Sequence, residues 1–436
     1  MTTAREAGRA PAEAILRDLK ERGLIEQFTN EDGLRELLDA GPQSIYVGVD
    51  PTASSIHIGH LLPILTLARL QQAGHRPIIL VGGATGMIGD PSGRSTERNL
   101  LTDDVVAHNV ACIRDQVSRF VSFEGDNAAL MTNNNDWIAP ISYIDWLREV
   151  GKHFTINYMI GKESVRRRLE DRDQGISYTE FSYMLLQAYD FWELCRTHGC
   201  RVQAGGSDQW GNITAGIELI RRKGGPESFG LTFPLMTTAS GEKFGKSAGN
   251  AVWLDPELTS PYEFYQYWIR SDDRDVAKYL KSFTFIPLDD IAGLLAEHEQ
   301  APHERRAQRR LAEEMTRLVH GEDGLRRAVT ASEVLFGSEI TGLDDRELLA
   351  IFRDVPAYEL GRDRLEAGVA IVELLVDSGA AKSRGDARRG LEQGGVYLNN
   401  TRVEDVNRVV TPADLASASV LVLRRGRKDY RLVRLV

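Results

Sequence analysis

His57 and His60 stand three residues apart, shortly after an apolar run over Ser44 to Asp50. Lys243 and Lys246 share that spacing in a glycine-flanked segment nearly two hundred residues later. Two imidazoles at i and i+3 that open a helix share one face, and the helix amino end adds a positive field. Negative charge building up on a phosphate would be met there. Thr52, in the turn just ahead, can donate its hydroxyl to a phosphate oxygen. A loop with two lysines, hinged at Gly241 and Gly245, can close over the remaining phosphates of a triphosphate while its α-phosphate is attacked. Such chemistry rests on positioning and charge stabilisation, and none of these side chains needs to be a nucleophile.

Two familiar phosphate motifs fit less well. Gly241 to Ser247 has three residues between its glycines where a P-loop needs four, which disfavours a Walker-type ATPase. Gly82-Gly83-Ala84 has alanine in place of the second glycine of a dinucleotide fingerprint, which weakens a nicotinamide enzyme. Tyr183, Gln187 and Asp190 fall at i, i+4 and i+7, on one face of a helix otherwise rich in Phe, Met, Leu and Trp. Polar groups in such a helix need partners, either a ligand or an internal hydrogen-bond network. Gly205-Gly206 would let backbone approach a nucleotide, and Asp208 can accept from ribose hydroxyls; a plain glycine turn is the alternative.

These groups require elements that bring them to one crevice. From about Ile45 to Met236 short apolar runs alternate with amphipathic helical stretches, and Ile45 to Val49, Pro77 to Gly82 and Arg201 to Gly205 read as strands. That alternation predicts an α/β fold with a doubly wound parallel sheet. Ligands in such sheets sit beyond the carboxyl ends of strands, where Asp50, Gly82 to Gly86 and Gly205 to Trp210 should emerge. A helix should run from His57 to about Gly74, with Pro63 early enough to be tolerated. Pro261 to about Gly321 reads as continuously helical. The periodicity weakens over 336–364, after which helices over Val369 to Ser378 and Ser383 to Gln393 precede strands at Val396 to Leu398 and Val420 to Val436.

The 436 residues, 42% of them hydrophobic, are enough for two or three domains. No apolar run nears the roughly 18 to 20 residues that span a bilayer, so membrane insertion and secretion are not expected. Cys112, Cys195 and Cys200 lack paired spacing, which suggests reduced thiols in the cytoplasm and no protein-bound metal. The net charge of -10 is uneven: from Ile371 to Val436 there are twelve Lys/Arg against eight Asp/Glu. Lys382, Arg384, Arg388 and Arg389 read either as a solvated helix face or as contacts to an RNA backbone, with Arg424, Arg425, Arg427 and Lys428 as second candidates.

The stretch from Tyr46 to His60 (YVGVDPTASSIHIGH) resembles the first signature of class I aminoacyl-tRNA synthetases in their tyrosyl form, and Lys243 to Ser247 (KFGKS) resembles the second. Further matches lie at Gly82 to Gly86, Gly89 to Gly93, Asn133 to Trp137, Gly205 to Asn212 and Ser260 to Trp268, so the similarity to bacterial tyrosyl-tRNA synthetases covers nearly the whole chain. The resemblance implies a Rossmann-like catalytic domain over 1–235 with an N-terminal helical segment. It implies the lysine loop and an α-helical anticodon-side domain over 236–335, a linker over 336–364, and over 365–436 an α+β RNA-binding domain of the ribosomal small-subunit protein type.

It further implies a ligase that makes tyrosyl-adenylate from L-tyrosine and ATP, with Mg2+ accompanying the ATP, and then charges tRNA(Tyr), as a homodimer in the cytoplasm. Thr52, His57, His60, Lys243 and Lys246 would act on the phosphates, with Ser247 supporting the closed loop. Tyr183, Gln187 and Asp90 would hold the substrate ammonium, Asp190 and Tyr46 its phenolic hydroxyl, and Gln209 its carboxylate. Gly48, Asp50, Gly59, Gly206 and Asp208 would line the nucleotide, and Arg94 and Arg98 would help neutralise pyrophosphate, Arg94 replacing a lysine common in the family. Tryptophanyl-tRNA synthetases share the core, but Tyr46, Asp190 and the basic tail argue against that branch. A synthetase descendant that binds RNA without catalysis is disfavoured by the intact histidines and lysines.

Overall fold

The computed structural model describes residues 11–90, 102–162, 165–166, 169, 175–241, 244–247, 250–334, 337–340, 342–353, 355–426 and 429–436. Its main sheet has six strands: β1 (Gln27–Phe28), β2 (Ser44–Val49), β3 (Arg76–Val81), β4 (Leu130–Asn133), β5 (Val202–Gly206) and β6 (Phe229–Phe233), in the spatial order β1-β6-β5-β2-β3-β4. From β6 to β4 every neighbouring pair is parallel, and β1 closes the edge antiparallel to β6. The expected strands are present to within about a residue. β3 is buried from Pro77 to Val81, as a parallel strand covered on both faces should be.

Strand order reverses between β2 and β5, which pair as Tyr46 with Gln203 and Val47 with Ala204. The loops leaving these two strands are Asp50 to His57 and Ser207 to Gln209, so two of the predicted sites emerge side by side at the switch point. Gly48, although on central β2, is exposed, and a Cβ there would have no neighbour within 4 Å. One face of the sheet is therefore open just before this crevice.

The Leu61–Gln72 helix buries Leu61, Leu62, Ile64, Leu65, Leu67 and Leu70. Pro63 is harmless in its first turn, where backbone N–H groups have no helical acceptor. The Tyr178–His198 helix starts at a capping box of Ser177 and Glu180 and packs along the Trp210–Arg222 helix.

The chain forms two compact units, Met1–Asp255 with Asp272–Ala307, and Pro256–Ser271 with Gln308–Val436. The helices expected to form one domain are thus shared. Asp273–Phe283 packs on Leu61–Gln72 in the first unit, burying Val276, Tyr279, Leu280 and Phe283, whereas Pro261–Ile269 belongs to the second. The predicted continuous helical run is broken into Pro261–Ile269, Asp273–Phe283, Leu288–Gln300 and Arg306–Val334, the last kinked at Gly321.

The second unit contains a five-stranded sheet ordered Thr401–Arg402, Val396–Leu398, Val420–Arg425, Asp429–Leu435, Ala357–Leu360. The stretch 336–364, expected to be a linker, supplies the last of these strands, parallel to Asp429–Leu435, and the Asp345–Ile351 helix. Its weak periodicity reflects short elements in which single residues such as Leu348, Ile351 and Phe352 fill a core with Val420, Val422 and Leu432. Helices Ile371–Asp377 and Arg384–Glu392 pack around a second core on the same sheet.

Candidate active site and basic face

His57 caps a single 3-10 turn, Ile58–His60, from which the Leu61–Gln72 helix continues. The two imidazoles stack with centroids 4.0 Å apart and planes 23° apart. Gly59 N–H donates to Nδ1 of His57 (3.0 Å) and His57 N–H to Nδ1 of His60 (3.4 Å). A neutral imidazole that accepts at Nδ1 carries its proton on Nε2, so backbone geometry turns both rings into Nε2–H donors. Thr52 is exposed a few residues earlier in the same loop.

The lysine loop reaches this turn through backbone. Ile58 N–H donates to Val252 O and Leu254 N–H to Ile56 O, both at 3.0 Å, with His57 and Trp253 paired antiparallel between them. Val252 N–H in turn donates to Gly245 O at 3.0 Å. Gly245 has φ +89°, and a Cβ on it would lie 3.4 Å from Ile58 and 3.5 Å from Gly59 N. Only glycine combines that conformation with that approach. Phe244 is buried, with its ring 5.2 Å from Tyr279 and stacked 5.1 Å from Phe283. Lys246–Ser247 form a short antiparallel pair with Asn250–Ala251. Of Lys246 and Ser247 only the backbone is described, and Lys243, Arg94 and Arg98 lie outside the described residues.

Asp190 and Tyr46 meet inside the first unit. Asp190 is 2% exposed and accepts from Trp137 Nε1 on Oδ1 (2.8 Å) and from Asn134 Nδ2 on Oδ2 (3.0 Å). Burial pushes its carboxyl up to about 7, with the two N–H donors pulling the other way. Tyr46 is 1% exposed, its ring lies 5.4 Å from Phe191, and its hydroxyl has no hydrogen-bond partner. Burial, and then the nearby charge of Asp190, hold that hydroxyl well above its ordinary pKa. A buried hydroxyl without a partner beside a carboxylate with spare lone pairs is a place for one more O–H.

The other predicted polar groups form a chain. Gln209 Nε2 donates to Asp90 Oδ2 (2.7 Å), and Asn212 Nδ2 donates both to Gln209 Oε1 (3.2 Å) and to Gln187 Oε1 (3.0 Å). With one amide N–H on Asp90, Gln209 has a second to offer a ligand. Tyr183 is buried one turn before Gln187 on the same helix. Asp208 follows β5, where a Cβ on Gly206 would lie 2.5 Å from Asp208 Oδ1 and 3.3 Å from Leu235. Asp50 follows β2 beside Gly82, on which a Cβ would come 3.1 Å from Asp50 Oδ1. Among the described residues no group of three or more His, Cys, Asp or Glu could hold a metal ion.

Asn134, Trp137, Asn212, Phe244 and Leu235 were assigned no role from sequence. Asn134 also donates to Thr85 Oγ1 (2.8 Å) and accepts from Ala84 N–H (2.8 Å), tying Asp190 to the turn after β3. The first four lie inside stretches that matched the family, which was the available signal. Leu235, exposed beside Gly206, had none.

On the second unit Lys382, Arg384, Arg388 and Arg389 are all exposed on or just before one helix, with Arg384 Nη2 also 2.9 Å from Glu373. Arg424 and Arg425, the second candidates, are used internally. Arg424 is 8% exposed, donates to Asn400 Oδ1 (2.8 Å) and lies 3.7 Å over the Tyr397 ring. Arg425 grips Asp386 with two bonds of 2.7 Å, holding that carboxyl well below its usual range. Arg427 and Lys428 lie outside the described residues.

Residues 39–337 match the family described as tRNA synthetases class I (W and Y), and residues 347–433 match the Tyrosine--tRNA ligase SYY-like C-terminal domain. A tyrosine--tRNA ligase of Rhodopirellula baltica is 54% identical over 423 residues, 97% of this chain and 96% of that protein. One from Geobacillus stearothermophilus is 53% identical, covering 96% and 99%. The crystal structure of a C-terminally truncated mitochondrial tyrosyl-tRNA synthetase from Aspergillus nidulans superposes with TM-score 0.67 at 34% identity, over 74% of this chain and 94% of that one.

The Asp190 carboxyl has a testable signature. The folded chain binds its proton more tightly than the unfolded chain does, so this group's contribution to stability is greatest below about pH 4, declines as pH rises to about 7 and is level above that. Urea unfolding across this range should show less of that decline in Asp190→Asn, provided the asparagine folds. Identical slopes in the two proteins would mean that the carboxyl titrates normally.

Proposed function

The chain belongs to the class I tRNA synthetases of the tryptophan and tyrosine group, and on that premise we infer that it activates L-tyrosine with ATP and transfers it to tRNA(Tyr). The tyrosine carboxylate attacks the α-phosphate of ATP, forming tyrosyl-adenylate and expelling pyrophosphate. A terminal adenosine hydroxyl of the tRNA then attacks the tyrosyl carbonyl, and AMP leaves. The observation that carries the residue-level reading is the backbone ladder joining Ile56 to Ile58 with Val252 to Leu254, which holds the lysine loop against the histidine turn.

In this reading the Nε2–H groups of His57 and His60, with the Thr52 hydroxyl, donate to the phosphates, and Lys243 and Lys246 neutralise charge as it develops. Ser247 supports the closed loop, and Arg94 and Arg98 face pyrophosphate. Magnesium would enter as the counter-ion of ATP, reducing phosphate repulsion, with its ligands supplied mainly by phosphate oxygens. The nucleotide lies along the uncovered face at Gly48, against Gly59 and Gly206, with Asp50 and Asp208 as acceptors and Leu235 as an apolar wall.

The substrate phenol donates to Asp190 and satisfies the Tyr46 hydroxyl. Phenylalanine would leave both groups stranded, a penalty larger than that for a missing methylene. Asp90, Tyr183 and Gln187 hold the ammonium, and the second N–H of Gln209 meets the carboxylate. Lys382, Arg384, Arg388 and Arg389 contact the tRNA backbone. The cytoplasm suits a tRNA substrate and three free thiols, and no helix among the described residues is long and apolar enough to cross a membrane. A homodimer is supported by the large apolar side chains of Tyr143, Ile144, Leu147, Ile156, Ile160 and Tyr178 that are exposed on the first unit.

Replacing His57 or Lys246 with alanine should lower the rate of tyrosyl-adenylate formation about a hundredfold or more while leaving tyrosine binding nearly unchanged, as measured by pre-steady-state kinetics and equilibrium dialysis. Equal losses in both quantities would contradict roles confined to the transition state. Joint substitution of Lys382, Arg384, Arg388 and Arg389 by glutamate should spare tyrosine-dependent pyrophosphate exchange but weaken charging and flatten its salt dependence. Unchanged charging would remove the helix from the RNA contact. Ile144→Glu should yield monomers in sedimentation; a protein that is already monomeric before substitution would refute the dimer.

A further inference from the structure

Arg69 lies in the last turn of the helix that His57 and His60 open, and it is only 6% exposed. Its guanidinium donates to Thr284 O, lies 4.5 Å over the Phe285 ring and stands 3.9 Å from Asp18 Oδ2. Arg22, 5% exposed, shares that carboxylate through Nε (2.9 Å to Oδ1) and donates to Lys281 O (3.1 Å), Thr284 O (3.3 Å) and Ile286 O (3.0 Å). Two cations thus grip the carboxyl end of the Asp273–Phe283 helix, where unsatisfied carbonyls favour positive charge. Burial and the Arg22 charge lower the Arg69 pKa to about 10, so it is still protonated at neutral pH.

That same helix carries the lysine loop. Asp275 Oδ2 accepts from Ala239 N–H (2.8 Å), Lys278 Nζ donates to Thr237 O (3.4 Å), and Phe244 packs against both Tyr279 and Phe283. Aliphatic side chains would fasten two helices at lower desolvation cost than buried guanidinium groups. What the arginines add is direction: forked donors on named carbonyls set the helix's height and rotation.

We propose that Arg69, with Arg22 and Asp18, is a positioning device that sets the lysine loop over the histidine turn by fixing the Asp273–Phe283 helix as a strut between them. The device rests on the reading that the loop and the histidines act on the same phosphates. It places residues far from the substrate, including two in the N-terminal helix Ala12–Glu21 and its cap, in control of the adenylation step.

The test pairs two measurements on the full chain, in Arg69→Lys and in Asp275→Asn at the other end of the strut, with thermal unfolding to verify folding. Trypsin cleavage at Lys243 and Lys246 without substrates should accelerate several-fold in both variants. The rate of adenylate formation should fall about tenfold with the tyrosine dissociation constant unchanged, because small displacements of positioned groups are felt in the transition state. Combined with Lys246→Ala, Arg69→Lys should cost less than about twofold more, since it acts through the loop already disabled. Unchanged cleavage in folded variants, or a full multiplicative loss in the Lys246→Ala background, would overturn the strut. Lys246→Ala with undiminished adenylation would instead sink the phosphate role of the loop, while cleavage would still decide the strut.

Discussion

Backbone hydrogen bonds from Gly245, Val252 and Leu254 to one another and to Ile56 and Ile58 hold the site together. Each is worth only about 1 kcal/mol net, yet together they fix a register that no side chain could fix as tightly. A ladder has period two, so sliding it by one residue would turn the His57 side chain to the opposite face. The close approach of Gly245 to Gly59 follows from this pairing, and so does the burial of Phe244 against Tyr279 and Phe283. Gly245 of the second signature and Ile58 and Gly59 of the first are neighbours because this pairing brings their backbones together.

The ladder also explains a division of labour between dipoles and charges. Both imidazoles accept backbone N–H groups at Nδ1, which leaves Nε2 of each ring as its outward donor. Protonating either ring at Nδ1 would break the bond that orients it. In the proposed reaction the turn would offer directed dipoles to the nucleotide, and full positive charge would come from the lysines. Charges are strongest where water is excluded, so in the proposed reaction the lysines would act most where the phosphates are shielded from solvent. The opposite holds at Asp190, where one carboxylate is kept dry and poised near neutrality by burial, so that its remaining acceptor capacity is valuable to a phenol.

Much of this was legible in the sequence because short continuous apolar runs alternating with helical stretches and glycine turns mark a parallel sheet plainly, and the switch-point rule then places Asp50 and Gly206 together. The spacing of Tyr183, Gln187 and Asp190 located one wall of the polar site. It could not show that Asn212 links Gln187 to Gln209, or that Asn134 and Trp137 occupy Asp190, since those bonds join elements far apart in sequence. The strand Ala357–Leu360 was unreadable for a related reason: its burial pattern depends on a parallel partner seventy-odd residues later, and the four residues alone carry no periodicity. Arg69 and Arg22 were likewise hidden, because charged residues in helical stretches ordinarily face water.

Arg424 and Arg425, the second candidates for an RNA contact, bear on how the proposed tRNA contact would work in an acidic protein. Composition counts a cation wherever it sits, but Arg424 is held in the core by Asn400 and Tyr397, and Arg425 is neutralised by Asp386. Among the described candidate cations, those left exposed on this unit are Lys382, Arg384, Arg388 and Arg389. Against a net charge of -10, such a patch is locally attractive only within a Debye length of about 8 Å at physiological salt. Beyond that distance the acidic remainder repels nucleic acid weakly. If the proposed tRNA contact is made at this helix, wrong docking orientations are penalised and the right one is not, so overall acidity would sharpen selection there instead of opposing it.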